Sequence, residues 1–363
     1  MDEREAMVRA LELAWRGWGR VAPNPLVGAV VLNGGEVVGE GWHAEFGEAH
    51  AETMALAAAG ERGRGGTLVV TLEPCAHQGK QPPCTLAIQA AGIRRVTTAI
   101  RDPNPEAHGG AEALAAGGIE FSSGLMAEEA CRQNAAFVHR FRNQERPFVA
   151  LKLATTVDGR IADRAGHSRW ISGSGARDYV HWLRAGFDAI ATGGHTARVD
   201  DSSLTVRGDL EPRRPPVRII FDSRADLPRT LKLVRTAGEL PTWVIAAPTA
   251  PTLARTSMEA AGVRVFVANS LAEGLAQLRS AGIESMVVEG GGRLGGAMLA
   301  RGLIDRFHWI QSPLWLGDDG VPAFSGLAGN SIADSVRWNV VERRALGEDT
   351  LLVLDREPCS PES

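Results

Sequence analysis

The sequence predicts an α/β chain of two domains, each a β-sheet covered by helices. Three observations predict it. Short apolar runs alternate with helical stretches along most of the chain. The 363 residues are too many for one ordinary core and comfortable for two. A polar stretch, Arg142-Asn143-Gln144-Glu145-Arg146-Pro147, has the composition of a linker between the halves. Domains are therefore expected over residues 1–145 and 146–357, with a polar, disordered tail over 358–363.

In the first domain, Glu3 to Arg16 reads as an amphipathic helix. Leu26 to Leu32 is a strand, Asn33-Gly34 a turn signal, and Val37 to Gly41 its hairpin partner. Alanine-rich Ala51 to Ala59 should be a helix that stops at Gly60. Thr67 to Thr71 reads as a buried strand. Pro82-Pro83-Cys84 opens a second helix that runs to Ala91, and Val96 to Ile100 is another strand. Ala127 to Arg142 reads as one closing helix. Together these make a three-layer α/β sandwich. The second domain has apolar runs at Phe148–Leu153, Ala189–Thr192, Val217–Phe221, Trp243–Ala247, Val263–Val267 and Met286–Val288, mostly with helical stretches between them. That alternation argues for a largely parallel sheet covered on both faces.

Composition excludes several classes. The chain is 44% apolar and 23% charged, with a net charge of -4, as a soluble globular protein is. No block of Lys and Arg invites nucleic acid, and no apolar run is long enough to span a membrane. The start, Met1-Asp2-Glu3-Arg4-Glu5, lacks the apolar core of a signal peptide. Of the four cysteines, Cys75 and Cys84 fall inside a motif, while Cys131 and Cys359 are far apart in sequence. No disulfide framework is expected, and the cytoplasm is the expected compartment. A homo-oligomer, dimer or tetramer, is the expected assembly.

The motif is His50-Ala51-Glu52, followed by Pro74-Cys75 and then Cys84. It supplies three zinc-type ligands and one carboxylate that zinc does not need. Catalytic zinc takes three protein ligands and leaves a position for water, whose pKa it lowers toward neutrality. Glu52 is then placed to take and return the proton. Zinc nucleobase deaminases carry His-x-Glu followed by Pro-Cys-x-x-Cys. Here the order and residue types agree, but the cysteines lie nine positions apart instead of three. A structural zinc completed by His43 or His77 is an alternative that leaves Glu52 without a purpose, and buried, metal-free cysteines are another.

In the second domain, Gly290-Gly291-Gly292-Arg293-Leu294-Gly295 satisfies Gly-x-Gly-x-x-Gly after the strand Met286–Val288 and opens a helix. Such a loop lets backbone amides approach a pyrophosphate. It reads equally well as a glycine-rich turn that packs a helix on a sheet. If it holds a dinucleotide, the sheet is not a standard Rossmann one.

These segments, in order, resemble the bifunctional deaminase-reductases of riboflavin biosynthesis over nearly the whole chain. The first half carries Pro23-Asn24-Pro25-Leu26-Val27-Gly28, Gly41-Trp42-His43, His50-Ala51-Glu52, Glu73-Pro74-Cys75 through Pro82-Pro83-Cys84, and Asp102-Pro103-Asn104-Pro105. The long cysteine spacing is that family's own. The second half carries Leu151-Lys152-Leu153-Ala154, Asp158-Gly159-Arg160, Ser168-Arg169-Trp170, Leu183-Arg184-Ala185, Leu204-Thr205-Val206-Arg207 and Val288-Glu289-Gly290. The resemblance implies a cytidine-deaminase-like domain followed by a dihydrofolate-reductase-like one. The first would remove an amino group from a diaminopyrimidinone ribosylamino phosphate, with zinc on His50, Cys75 and Cys84 and with Glu52 as proton shuttle. Asn24 would hold the base, and His43, His77 and Lys80 would face the ribose phosphate.

The second domain would deliver hydride from NADPH to the ribosyl group. The resemblance places Ala154, Trp170, Thr196, Asp200, Ser223, Gly291, Gly292, Arg293, Leu294, Gly295, Gly296 and Ala297 at the cofactor. It places Ser168, Arg184, Leu204, Arg207 and Glu289 at the substrate. Arg184 and Arg207 would offer forked donors to a phosphate. Two departures stand out. Asp200-Asp201-Ser202 replaces the usual Asp-Asp-Pro, and Gln81 stands where threonine is common. A nucleic-acid deaminase fused to an unrelated domain would call for a basic surface and the short cysteine spacing. A zinc-stabilised binding module would not need Glu52 or the arginines.

Overall fold

A computed structural model describes every residue except Lys80, His108, Ala328, Asn330 and 360–363. The chain divides into two compact units, Met1–Arg142 with Cys359–Ser363, and Asn143–Pro358.

The first unit runs α1 (Glu3–Ala14), β1 (Gly28–Asn33), β2 (Glu36–Trp42), α2 (Ala51–Ala59), β3 (Thr67–Leu72), α3 (Cys84–Ala90), β4 (Arg95–Ile100), α4 (Gly110–Ala116), β5 (Glu120–Ser123), α5 (Ala127–Gln133) and α6 (Ala135–Arg142). Its five strands are ordered β2-β1-β3-β4-β5. β1 is antiparallel to both neighbours, and β3, β4 and β5 are parallel. Asp2 starts α1 with a capping box closed by Glu5.

Glycines set how closely the helices approach this sheet. A Cβ at Gly39 or Gly41 would stand 2.2 or 2.3 Å from the carbonyl oxygens of Ala55 and Ala51, so β2 lies directly against α2. A Cβ at Gly28 would meet the Ala10 carbonyl oxygen of α1 at 1.9 Å. Gly28 pairs with Trp42, and Gly41 with Ala29, so the two glycines point to opposite faces. Helices thus cover both faces, and the three-layer arrangement follows.

The expected closing helix is two helices. Asn134 interrupts it because its side chain is engaged elsewhere: Oδ1 accepts from the Leu26 amide at 2.8 Å, and Nδ2 donates to the Leu26 carbonyl at 2.9 Å. Two more expectations are corrected. Cys131 of α5 and Cys359 are joined by a disulfide across 228 residues of sequence. The distance that argued against pairing is closed because the end of the chain returns to α5. Cys359 packs against the core of the first unit, so that part of the tail is ordered.

The second unit runs β6 (Phe148–Thr156), β7 (Arg160–Ala162), α7 (Ser174–Ala185), β8 (Ala189–Gly193), α8 (Gly194–Asp200), β9 (Val217–Phe221), α9 (Lys232–Arg235), β10 (Thr242–Ala246), α10 (Thr252–Ala260), β11 (Arg264–Val267), α11 (Leu271–Ser280), β12 (Ser285–Glu289), α12 (Gly292–Ala300), β13 (Arg306–Ser312), β14 (Val321–Pro322), β15 (Asn339–Leu346) and β16 (Asp349–Asp355). Nine strands form one sheet, ordered β11-β10-β9-β8-β12-β6-β13-β16-β15. It is parallel from β11 to β13 and antiparallel through β16 and β15. The carboxyl ends of β6, β8, β9 and β12 therefore share one edge, where open α/β sheets receive ligands.

Candidate active sites

His50 caps the N-terminus of α2, and Glu52 lies in its first turn. Cys75 follows β3, and Cys84 begins α3. The His50 Nδ1 atom is 3.2 Å from Cys84 Sγ and 3.6 Å from Cys75 Sγ, and the Cys84 amide points at Cys75 Sγ from 3.4 Å. These three donors lie within 4.8 Å of one another, and no fourth His, Cys, Asp or Glu among the described residues joins them. An imidazole and two soft sulfurs without a fourth side chain fit a zinc that keeps one position open. A hydrogen bond from the Cys84 thiol pulls Cys75 down to about 4. The same bond, together with burial, pushes Cys84 up. Glu52 is 4% exposed. Burial pushes its carboxyl up to about 7, against the pull of His50.

His50, Glu52 and Cys75 border a cavity of about 270 Å³ lined also by Asn24, His43, His77, Gln81, Asp102 and Asn104. Asn24, His43 and His77 thus meet where the sequence placed them together, while Lys80 lies outside the described residues. His43 is not disposed as expected, however. It is buried, burial lowers its pKa, and both ring nitrogens are engaged within the protein. Gln81, a departure in the sequence, donates to the Gly47 carbonyl at 3.0 Å. Asp102 and Asn104 were given no role. Their signal was the Asp-Pro-Asn-Pro turn, in which each side chain accepts from an amide two residues on, at 2.8 and 3.0 Å.

The second site gathers at the carboxyl edge of the nine-stranded sheet. Gly290 and Gly291 turn from β12 into α12 with φ of 74° and 76°, a region closed to most side chains. A Cβ at Gly291 would stand 2.8 Å from Thr196 Oγ1 of α8, so two expected cofactor residues are adjacent. No side chain among the described residues caps α12, and helix-start amides of this kind suit an anion. Ala154 lies on β6, Asp200 ends α8 and Ser223 follows β9. Trp170, 69% exposed, stacks under the Arg177 guanidinium. Asp201, from the departing Asp200-Asp201-Ser202 segment, accepts from the Lys232 amide at the start of α9.

Arg184 and Glu289 were both assigned to the substrate, and the structure pairs them with each other. Arg184 Nε and Nη2 reach the two carboxylate oxygens at 2.5 and 2.8 Å, and Nη1 donates to the Thr205 carbonyl. Burial works against the Glu289 charge, but Arg184 and Lys152 hold its pKa below the usual range. Leu204 is buried with φ of 46°, Arg207 is exposed, and Ser168 accepts from the Ile171 amide. Lys152 carried no assigned role. It is in register with Glu289, and burial lowers its pKa, opposed by that carboxylate. Its signal was a lysine inside the apolar strand Phe148–Leu153.

The model of the RibD C-terminal domain matches residues 147–352, and that of the cytidine and deoxycytidylate deaminase zinc-binding region matches residues 1–100. Riboflavin biosynthesis protein RibD of Escherichia coli is 39% identical over 378 residues, which cover 98% of this chain and 99% of that protein. The chain belongs to the RibD family of bifunctional deaminase-reductases of riboflavin biosynthesis. Riboflavin biosynthesis protein RibD of Bacillus amyloliquefaciens is 37% identical over 356 residues, covering 96% and 95%. Among solved RibD-family structures, Acinetobacter baumannii RibD superposes with a TM-score of 0.83 at 35% identity, covering 97% of this chain and 98% of that one. A Thermotoga maritima diaminohydroxyphosphoribosylaminopyrimidine deaminase/5-amino-6-(5-phosphoribosylamino)uracil reductase gives 0.82 at 35%, with the same coverage. The expected two-domain α/β architecture, deaminase-like and then reductase, is borne out.

Proposed function

We propose that the first unit hydrolyses the amino group from a diaminopyrimidinone ribosylamino phosphate, and that the second reduces the ribosyl group of the product with NADPH. One observation carries the first half: His50, Cys75 and Cys84 converge while Glu52, buried and uncommitted to the donor set, borders the same cavity. Zinc held by those three residues would activate water near neutral pH. Glu52, its pKa raised toward neutrality, accepts a proton from the water and passes it to the ring nitrogen, then carries the second proton of that water to the amino group, which leaves as ammonia. Asn24 holds the base, and His77 and Lys80 receive the ribose phosphate.

In the second unit the Gly290–Gly292 turn and the start of α12 take the pyrophosphate. Ala154, Trp170, Thr196, Asp200 and Ser223 border the rest of the cofactor. NADPH supplies the hydride when bound. Arg184 holds Glu289 ionised beside Lys152, and with Ser168, Leu204 and Arg207 they position the sugar and its phosphate. A cytoplasmic location belongs to the same proposal and rests on the biosynthetic role rather than on the cysteines.

The test replaces Glu52 by Gln, which removes the proton acceptor and keeps the shape. Ammonia release should fall at least about a hundredfold, with zinc content and NADPH-dependent reduction of the deaminated pyrimidine unchanged. Undiminished ammonia release would remove Glu52 from the chemistry.

A further inference from the structure

His43 follows β2, and its amide donates to the Val27 carbonyl at 2.9 Å, so the hairpin fixes where its ring sits. The residue is 3% exposed. Its Nδ1 lies 3.1 Å from the carbonyl oxygen of Ala49, the residue before the zinc ligand His50. Its Nε2 lies 3.2 Å from Asn24 Nδ2. A carbonyl oxygen only accepts, so Nδ1 carries the hydrogen. The neutral ring then has its lone pair at Nε2 and accepts from the Asn24 amide. This chain of roles settles an orientation that atom positions alone leave ambiguous, namely which end of the Asn24 carboxamide is nitrogen. With the nitrogen on His43, the carbonyl oxygen is what Asn24 offers to the cavity it lines.

We propose that His43 is a positioning residue for the deaminase site: the relay Ala49–His43–Asn24 fixes the Asn24 carboxamide so that it presents an acceptor to the substrate. The site therefore selects a ring edge that donates, an amino group or ring N–H, over an isosteric edge that only accepts. His43 serves the base through Asn24 and does not contact the phosphate. The relay also ties the base-holding residue to the segment that carries His50, so both are placed by one set of bonds.

The inference rests on the deaminase reading, and a double-mutant cycle in the full-length, zinc-loaded enzyme tests it. His43→Phe should raise the KM for the diaminopyrimidine substrate about tenfold, the worth of one well-formed hydrogen bond. Its kcat, zinc content and turnover of the deaminated product by the reductase should stay near wild type. His43→Gln, whose side-chain oxygen can accept from Asn24, should recover most of the loss. Asn24→Ala should raise KM in the same way, and adding His43→Phe to it should cost nothing further, because the group it positions is gone. Multiplicative effects in the double variant would overturn the relay, as would a His43→Gln enzyme no better than His43→Phe. A wild-type enzyme that holds zinc and releases no ammonia would instead strike the deaminase reading, and the relay with it.

Discussion

Glu52 and His308 are both buried ionisable side chains, and burial moves them in opposite directions. The Glu52 carboxyl is pushed up to about 7, as the proposed proton transfer needs. The His308 ring is pushed down to about 3 and stays neutral, its Nδ1 sharing a hydrogen bond of 2.7 Å with the Tyr179 hydroxyl. In the unfolded chain His308 would titrate at about 6.5. Above that pH both states are neutral and the residue is silent. Below it the unfolded chain binds a proton that the native ring refuses, so stability falls as pH drops from about 6.5 toward about 3. Between pH 6.5 and 5 the wild type should lose about 2 kcal/mol that His308→Leu does not. Thermal melts of both proteins across that range would show it, and parallel curves would contradict it. Legibility at this scale was uneven. The zinc set was visible because its residue types and order are chemically specific. The Arg184–Glu289 pair was not visible as a pair: its members are 105 positions apart, and only the sheet brings α7 against the end of β12.

Elements with strong local signals could be read from the sequence. Ala51 to Ala59 has alanine propensity and a glycine stop, and α2 has those same bounds. The strands β13 and β16 were missed although each is flanked by strands on both sides in the second sheet. Arg306-Phe307-His308-Trp309-Ile310-Gln311-Ser312 mixes charged and polar residues into its alternation, and partners such as the bidentate Arg306–Asp355 pair satisfy them. Such pairing depends on tertiary contacts that no single segment displays. The turn between β12 and α12 shows the reverse case, where a weak motif gains force from its setting. Gly291→Val would combine a left-handed φ with a clash at Thr196 Oγ1. It should raise the KM for NADPH at least about tenfold, leaving ammonia release untouched. Unchanged cofactor affinity would show that the turn only packs the helix.

At the scale of the whole molecule, the disulfide between Cys131 and Cys359 closes the second unit into one covalent loop of 228 residues' separation. Chain-entropy arguments assign such a loop about 5 kcal/mol at most. Reductant should therefore lower the melting temperature of the wild type and not of Cys359→Ser, and unfolded, chelator-treated wild type should show two free thiols before reduction. Four free thiols and identical melts would contradict the crosslink. The order of motifs, the two units and the parallel sheet were legible because they follow from local alternation. The crosslink was not, since spacing says nothing about where a chain end returns. The proposed function is that one chain carries out two steps in a fixed order. Its most direct measurement follows ammonia and NADPH together in the zinc-loaded enzyme given the diaminopyrimidine substrate. Ammonia should appear without NADPH present, and NADPH should be consumed only after ammonia has begun to accumulate. NADPH oxidation with no ammonia released would contradict the account.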